Sequence, residues 1–276
     1  MASIDTPIVC PVIVGPGSQL AALDALLARV AAGQGRVVLI AVEAGVGKSR
    51  LVAEARSRPA GHGFAMLAGH CFESDRAVPF APLADMLRAF GAAGPESGDA
   101  LDSATPQLAA LMPERVSLPA APAADAAQDR WRATQAFARF VAETAGRVPL
   151  LLVVEDLHWS DDASLEALLL AARRVVTLPL LVVLIYRDDE ITLALAEMLT
   201  APDRERLAVE VRLARLDYEE TDAMLRAICA QRRPICGDFL CALFDQTEGN
   251  PFFIEEVLKS LVAAGDIYLT GGARRR

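Results

Sequence analysis

Five apolar runs punctuate the chain, at 37–42, 64–68, 150–154, 180–186 and 208–213. Their apolar character reads as strands buried on both faces, the condition of a parallel sheet covered by helices. Between the runs, apolar residues recur at helical spacing. Leu20, Leu23, Leu26, Leu27 and Val30 mark one face before the first strand, and Trp131, Phe137, Phe140 and Val141 mark another before the third. Leu165, Leu168 and Leu169 open a third helix. Strands alternating with helices predict an α/β fold with a doubly wound parallel sheet.

The pattern changes twice. Residues 91–129 carry Gly-Ala-Ala-Gly-Pro and then Pro106, Pro113, Pro119 and Pro122, which predicts a loose insertion with one short helix near 107–112. Beyond Arg215, strand signals stop and helices are predicted at 218–229, 238–247 and 251–264, the last with Pro251 in its first turn. The expected organisation is a sheet domain over 1–213 and a small helical domain over 214–276.

Charge and cysteine usage narrow the function class. Asp and Glu number 36 against 27 Lys and Arg, a net charge of −9. That balance argues against a broad nucleic-acid-binding face, which needs clustered cations. The one dense basic run, Arg274 to Arg276, reads as a frayed end. Five cysteines without CxxC spacing fit reduced, buried thiols better than a disulfide framework or a zinc site. The first residues lack a secretory pattern. The most apolar stretch, 165–186, is interrupted by Arg173, Arg174 and Pro179, so no membrane span is expected. The chain reads as cytoplasmic.

Chemistry enters at Gly45-Val46-Gly47-Lys48-Ser49, directly after the first strand and before a helix starting near Arg50. This is the context of a Walker A phosphate loop. Backbone N–H groups cradle phosphates at a helix N-terminus, Lys48 reaches the β- and γ-phosphates, and the Ser49 hydroxyl binds Mg²⁺. The pattern GxxxxGK[ST] asks for glycine five positions before Gly47, where this chain has Val42. The third strand ends in Glu155-Asp156, a Walker B pattern that delivers two carboxylates to a sheet edge. One holds Mg²⁺ and the other polarises the attacking water. The residues leave the order open, with Glu155 preferred for the metal and Asp156 for the water. His158 reads equally as a γ-phosphate sensor or a helix cap, Trp159 as a packing residue, and Asp161 and Asp162 as N-caps. Arg187, ending the fourth strand, reads either as a γ-phosphate sensor or as an ion-pair partner of Asp188, Asp189 or Glu190.

Together these residues resemble the STAND class of AAA-like ATPases. The likeness is to the predicted-ATPase module, also called an origin-recognition-complex-like AAA domain, of large LuxR-type transcriptional regulators and of some proteins with nucleotide cyclase domains. The stretches that carry it are VEAGVGKSRLV from Val42, GHCFESDRAVPFAPL from Gly69, PLLLVVEDLHWSDDASL from Pro149, LLVVLIYRDDE from Leu180 and TEGNPFFIEEVLKSL from Thr247. The resemblance implies a P-loop NTPase sheet of order 5-1-4-3-2. It implies ATP and Mg²⁺ as ligands, Pro251 packing near the adenine, and self-association on activation. It also implies output domains beyond residue 276. With no recognition-helix pattern of basic residues, no direct nucleic-acid contact by this piece is expected. The family's Gly-Arg-Glu before the first helix is replaced here by Gly15-Pro16-Gly17. With Val42, that departure keeps a decayed, non-hydrolysing scaffold as the rival reading. A metabolic P-loop kinase is disfavoured, because no acceptor-binding cluster is visible.

Overall fold

The computed structural model describes residues 10, 17–48, 53, 63–94, 97–98, 101, 106–109, 111–112, 126–205, 207–231 and 233–267. The chain forms two compact units, one of residues 22–42 and 55–212, the other of 1–21, 43–54 and 213–276.

The larger unit is built on β1 (Arg36–Val42), β2 (Ala65–His70), β3 (Leu150–Glu155), β4 (Leu180–Arg187) and β5 (Ala208–Leu213). These form one five-stranded sheet in the order β2-β3-β4-β1-β5. Counted from its other side, this is the 5-1-4-3-2 order expected from the sequence. The β2/β3, β3/β4 and β4/β1 pairs are parallel, with His70 opposite Glu155, Val154 opposite Leu184 and Val42 opposite Arg187. Parallel pairing carries the C-terminal ends of these four strands to one edge, where ligands of open α/β sheets bind.

The central strands β1, β3 and β4 are buried almost throughout, whereas β2 is buried only at Leu67 and Gly69, and no residue of β5 is buried. The expectation of burial on both faces therefore fails for the two strands that end the sheet order. Fewer helices cover an edge strand, and in β5 the polar residues Glu210 and Arg212 already interrupt the apolar run.

The helices of this unit are α1 (Gly17–Ala31), which begins in the other unit, α2 (Ala81–Ala92), the single turn α3 (Pro106–Ala109), α4 (Ala126–Ala145), α5 (Asp162–Ala172) and α6 (Leu193–Arg204). Helix α2 packs on β2, α4 on α5, and α5 on α6. Phe137, Phe140 and Val141 are buried as their spacing predicts, but Trp131 is 62% exposed. Six residues before Phe137 is a turn of about 600°, which leaves Trp131 about 120° around the helix from Phe137 and off its buried face. The 91–129 segment is also better anchored than its proline content predicts. Leu101, Leu108, Leu111 and Met112 join the main core, and α4 already begins at Ala126.

The smaller unit holds α7 (Tyr218–Ile228), α8 (Gly237–Thr247) and α9 (Pro251–Ala264), within a residue or so of the predicted bounds. Its core combines Leu216, Met224, Leu225, Leu240, Leu243, Ile254 and Leu258 with Cys10. A capping box closes the start of α7: Asp217 accepts from the Glu220 amide and Glu220 accepts from the Asp217 amide. Gly265, left-handed at φ 81°, ends α9. Among the described residues no helix is long and apolar enough to cross a membrane.

Candidate functional site

The phosphate loop leaves the end of β1. Gly45 and Gly47 have φ of 84° and 99°, a region that glycine enters at little cost, and Lys48 begins a helix. Val42 is still in the β1 ladder opposite Arg187 and is absent from the positive-φ residues. The position where the pattern asks for glycine is thus ordinary strand, which a β-branched residue fills comfortably. Ser49, Arg50 and Pro16 lie outside the described residues.

The loop is braced from behind by the start of α9. Asn250, 2% exposed, caps α9 by accepting from the Phe252 amide at 3.1 Å, and its Nδ2 donates to the Ala44 carbonyl at 2.9 Å. The Phe252 amide also donates to the Gly45 carbonyl at 3.2 Å. Pro251, the residue expected near the adenine, is the first helical residue between them. Gly249 fits here because it has no side chain: a Cβ would lie 1.9 Å from the Leu216 carbonyl oxygen. Arg215 ties the same region together, donating from Nε to Glu43 Oε2 at 2.8 Å and from its terminal nitrogen to Glu248.

The acidic strand end forms a second cluster, inside the sheet unit. Glu155 ends β3 and is 7% exposed, and Asp156 follows with left-handed backbone at φ 54°. A non-glycine residue pays a conformational penalty there, and such residues concentrate at functional sites. His70, at the end of β2, sits against both acids. Its Nε2 is 3.1 Å from Asp156 Oδ2, and its Nδ1 is 3.9 Å from Glu155 Oε2. The ring stacks obliquely on Phe72, centroids 4.6 Å apart.

His158 is buried beside this cluster, and its Nδ1 accepts from the Arg187 amide at 3.3 Å. Its Nε2 lies 3.9 Å from Asp156 Oδ1 and 3.7 Å from Glu190 Oε2. Asp161 carries the cap of α5, accepting from the Ser164 amide at 2.9 Å, and also accepts from the Phe80 amide at 3.2 Å. Trp159 packs against the core. The Arg187 guanidinium is engaged by Asp189 at 3.0 Å and by Glu190. Beneath the acids, burial pushes the Cys71 thiol up to about 12; a Ser160 hydrogen bond opposes this, and Asp161, Asp156 and Asp75 reinforce it. That thiol is an inert packing group rather than a nucleophile.

Residues 12–183 match the model of the family described as AAA ATPase domain. The chain belongs to that family. A curated relative of this AAA domain, the uncharacterized protein R02095 of Rhizobium meliloti (strain 1021), is 31% identical over 246 residues. The match covers 83% of this chain and 23% of the relative, so the chain spans under a quarter of that protein's length. Among solved structures, the ORC2 protein of Aeropyrum pernix, determined as ADPNP–ADP complexes, aligns with a TM-score of 0.54 at 15% identity over 97% of this chain and 67% of its own. The Aeropyrum pernix ORC1 protein in complex with DNA aligns with a TM-score of 0.55 at 16% identity, covering 99% of this chain and 65% of its own. At such identities these likenesses establish the fold.

Two participants escaped the sequence reading. His70 ends β2 two residues beyond the apolar run of 64–68, so the run alone does not bring it to the edge. Asn250 lay inside the Gly-Asn-Pro stretch, but only its cap role is legible from order alone; its reach to Ala44 crosses 206 positions.

Proposed function

We propose that this AAA domain is an ATP-binding signalling switch that binds Mg-ATP, hydrolyses it slowly, and thereby controls an output domain of a longer transcriptional regulator. The observation that carries this reading is the loop itself. Two left-handed glycines, a lysine opening a helix, and a preceding buried parallel strand are what main-chain capture of phosphate requires. In this reading Gly45, Val46, Gly47, Ser49 and Arg50 contribute backbone amides, Lys48 balances the β- and γ-phosphates, and Pro251 lies by the base. Asp156 orients water, and Arg187 senses the γ-phosphate after release from Asp189 and Glu190.

Mg²⁺ is the ion this reading assigns. Among the described residues no group of three or more His, Cys, Asp or Glu side chains forms a metal cage. Mg²⁺ is commonly held by one or two protein oxygens plus water and phosphate, and this reading assigns it to Glu155 and the Ser49 hydroxyl. The ion would neutralise charge on the β- and γ-oxygens. The transcriptional role rests on the resemblance carried by the STAND-like stretches, and the much greater length of the relative supports the presence of further domains.

A fluorescent ATP analogue tests the core claim. Native chain should bind it, and Lys48→Ala should weaken binding at least about tenfold, the equivalent of about 1.4 kcal/mol. Asp156→Asn should keep binding and lose phosphate release. Equal affinity of native and Lys48→Ala chains would sink the reading. A native chain that binds nothing would favour the decayed scaffold.

A further inference from the structure

We propose that Asn250 is a positioning residue of the phosphate loop, turning its amides toward the phosphates from behind and linking loop occupancy to α9. This deepens the nucleotide-binding reading and rests on it. The argument starts from the planarity of the peptide bond. In a trans peptide the C=O of one residue and the N–H of the next point in opposite directions. The Ala44 carbonyl is held by Asn250 Nδ2 at 2.9 Å, which fixes the Gly45 N–H to face away from α9. The Gly45 carbonyl is held by the Phe252 amide at 3.2 Å, which sets the Val46 N–H in the same manner. A loop that must present its N–H groups to an anion has to place its carbonyls elsewhere, and backbone carbonyls need partners. Here the start of α9 supplies them.

Three further observations fit this role. Asn250 is almost wholly buried, and both ends of its amide are used: Oδ1 accepts from Phe252, and Nδ2 donates to the loop. A cap alone needs only the acceptor, for which Asp serves as well as Asn. Gly45 has no room for a side chain, because a Cβ would lie 2.6 Å from Asn250 Oδ1 and 2.9 Å from Phe252 Cβ. Pro251 contributes no N–H, so Phe252 carries the first free amide of α9, which Asn250 and Gly45 share. A loop tightened around phosphate would thus pull on the first turn of α9, and a change at α9 would alter the loop.

Asn250→Asp separates positioning from capping. It keeps the acceptor for Phe252 but sets a carboxylate oxygen against the Ala44 carbonyl. Hydrogen exchange of the full chain is measured with and without the ATP analogue, beside its binding affinity and thermal unfolding. Without nucleotide, the variant should exchange faster than native at 43–48, by more than its change in thermal unfolding accounts for. The variant should bind the analogue roughly tenfold more weakly, the loss of one hydrogen bond. At saturating analogue, native α9 should gain protection and variant α9 should not. Equal exchange at 43–48 in native and variant, or an α9 response that survives in Asn250→Asp, would overturn the proposal. If native chain does not bind the analogue, the nucleotide reading fails, and the nucleotide-free exchange at 43–48 still decides whether Asn250 sets the loop.

Discussion

Alanine at the two left-handed glycines of the loop gives a graded pair of perturbations whose ratio follows from the geometry. At either site the added Cβ forces an L residue into left-handed backbone, at about 1–2 kcal/mol. At Gly47 that is the whole effect, since nothing lies within 4 Å of the new carbon. At Gly45 the carbon would sit 2.6 Å from Asn250 Oδ1 and 2.9 Å from Phe252 Cβ. Relief requires Asn250 to swing out, forfeiting its bond to Ala44 and its cap of α9, about 1 kcal/mol each. The totals are about 3–4 kcal/mol for Gly45→Ala and about 1–2 for Gly47→Ala. A difference of about 2 kcal/mol is roughly thirtyfold in an opening equilibrium. Amide exchange along α9, measured by mass spectrometry without nucleotide, should therefore be about thirtyfold faster in Gly45→Ala than in Gly47→Ala. In an Asn250→Ala background the gap should narrow, because only the Phe252 contact remains. Indistinguishable α9 exchange in the two single variants would refute the account of why residue 45 is glycine.

Two more outcomes follow from the sheet unit. The neutral Cys71 thiol is favoured by folding, because its folded pKa is pushed from 9.0 to about 12. The stability this contributes is fully present below pH 9.0 and is lost as pH rises toward about 12, since the unfolded chain deprotonates first. Urea unfolding at about pH 8 and about pH 10 should show native chain losing roughly 1 kcal/mol more than Cys71→Ala; equal losses would contradict the assignment. His70→Ala removes a side chain 3.1 Å from Asp156, and should lower phosphate release about tenfold while analogue affinity stays within about twofold, the loss of one hydrogen bond that matters only to chemistry. A matching loss of affinity would assign His70 to ground-state binding instead.

How legible this was in the sequence depended on the range of each interaction. Periodicity over a few residues located the central strands and the three C-terminal helices, because each buries a repeating face. Edge strands were misjudged, since burial there depends on neighbours that periodicity does not count. Trp131 was grouped with Phe137 although six residues do not return to the same helix face. The loop glycines and the acid pair stand out in the sequence because each is a short contiguous pattern at a strand end. The Asn250–Ala44 bond, the Arg215 bridge between Glu43 and Glu248, and the His70 contact do not, because each joins segments distant in the chain.

The last strand in the sheet order has a consequence for the chain's behaviour in concentrated solution. On β5, Val209 is exposed, and Glu210 and Arg212 stand open to water with their side chains paired at 2.9 Å. A flanking strand with unsatisfied amides invites a stranger's backbone to zip alongside, the first step toward fibrils. Ionised groups at alternate positions make that docking expensive, since an incoming apolar segment would have to strip them of solvent. The same two residues that spoil β5 as a hydrophobic pattern act as gatekeepers against aggregation.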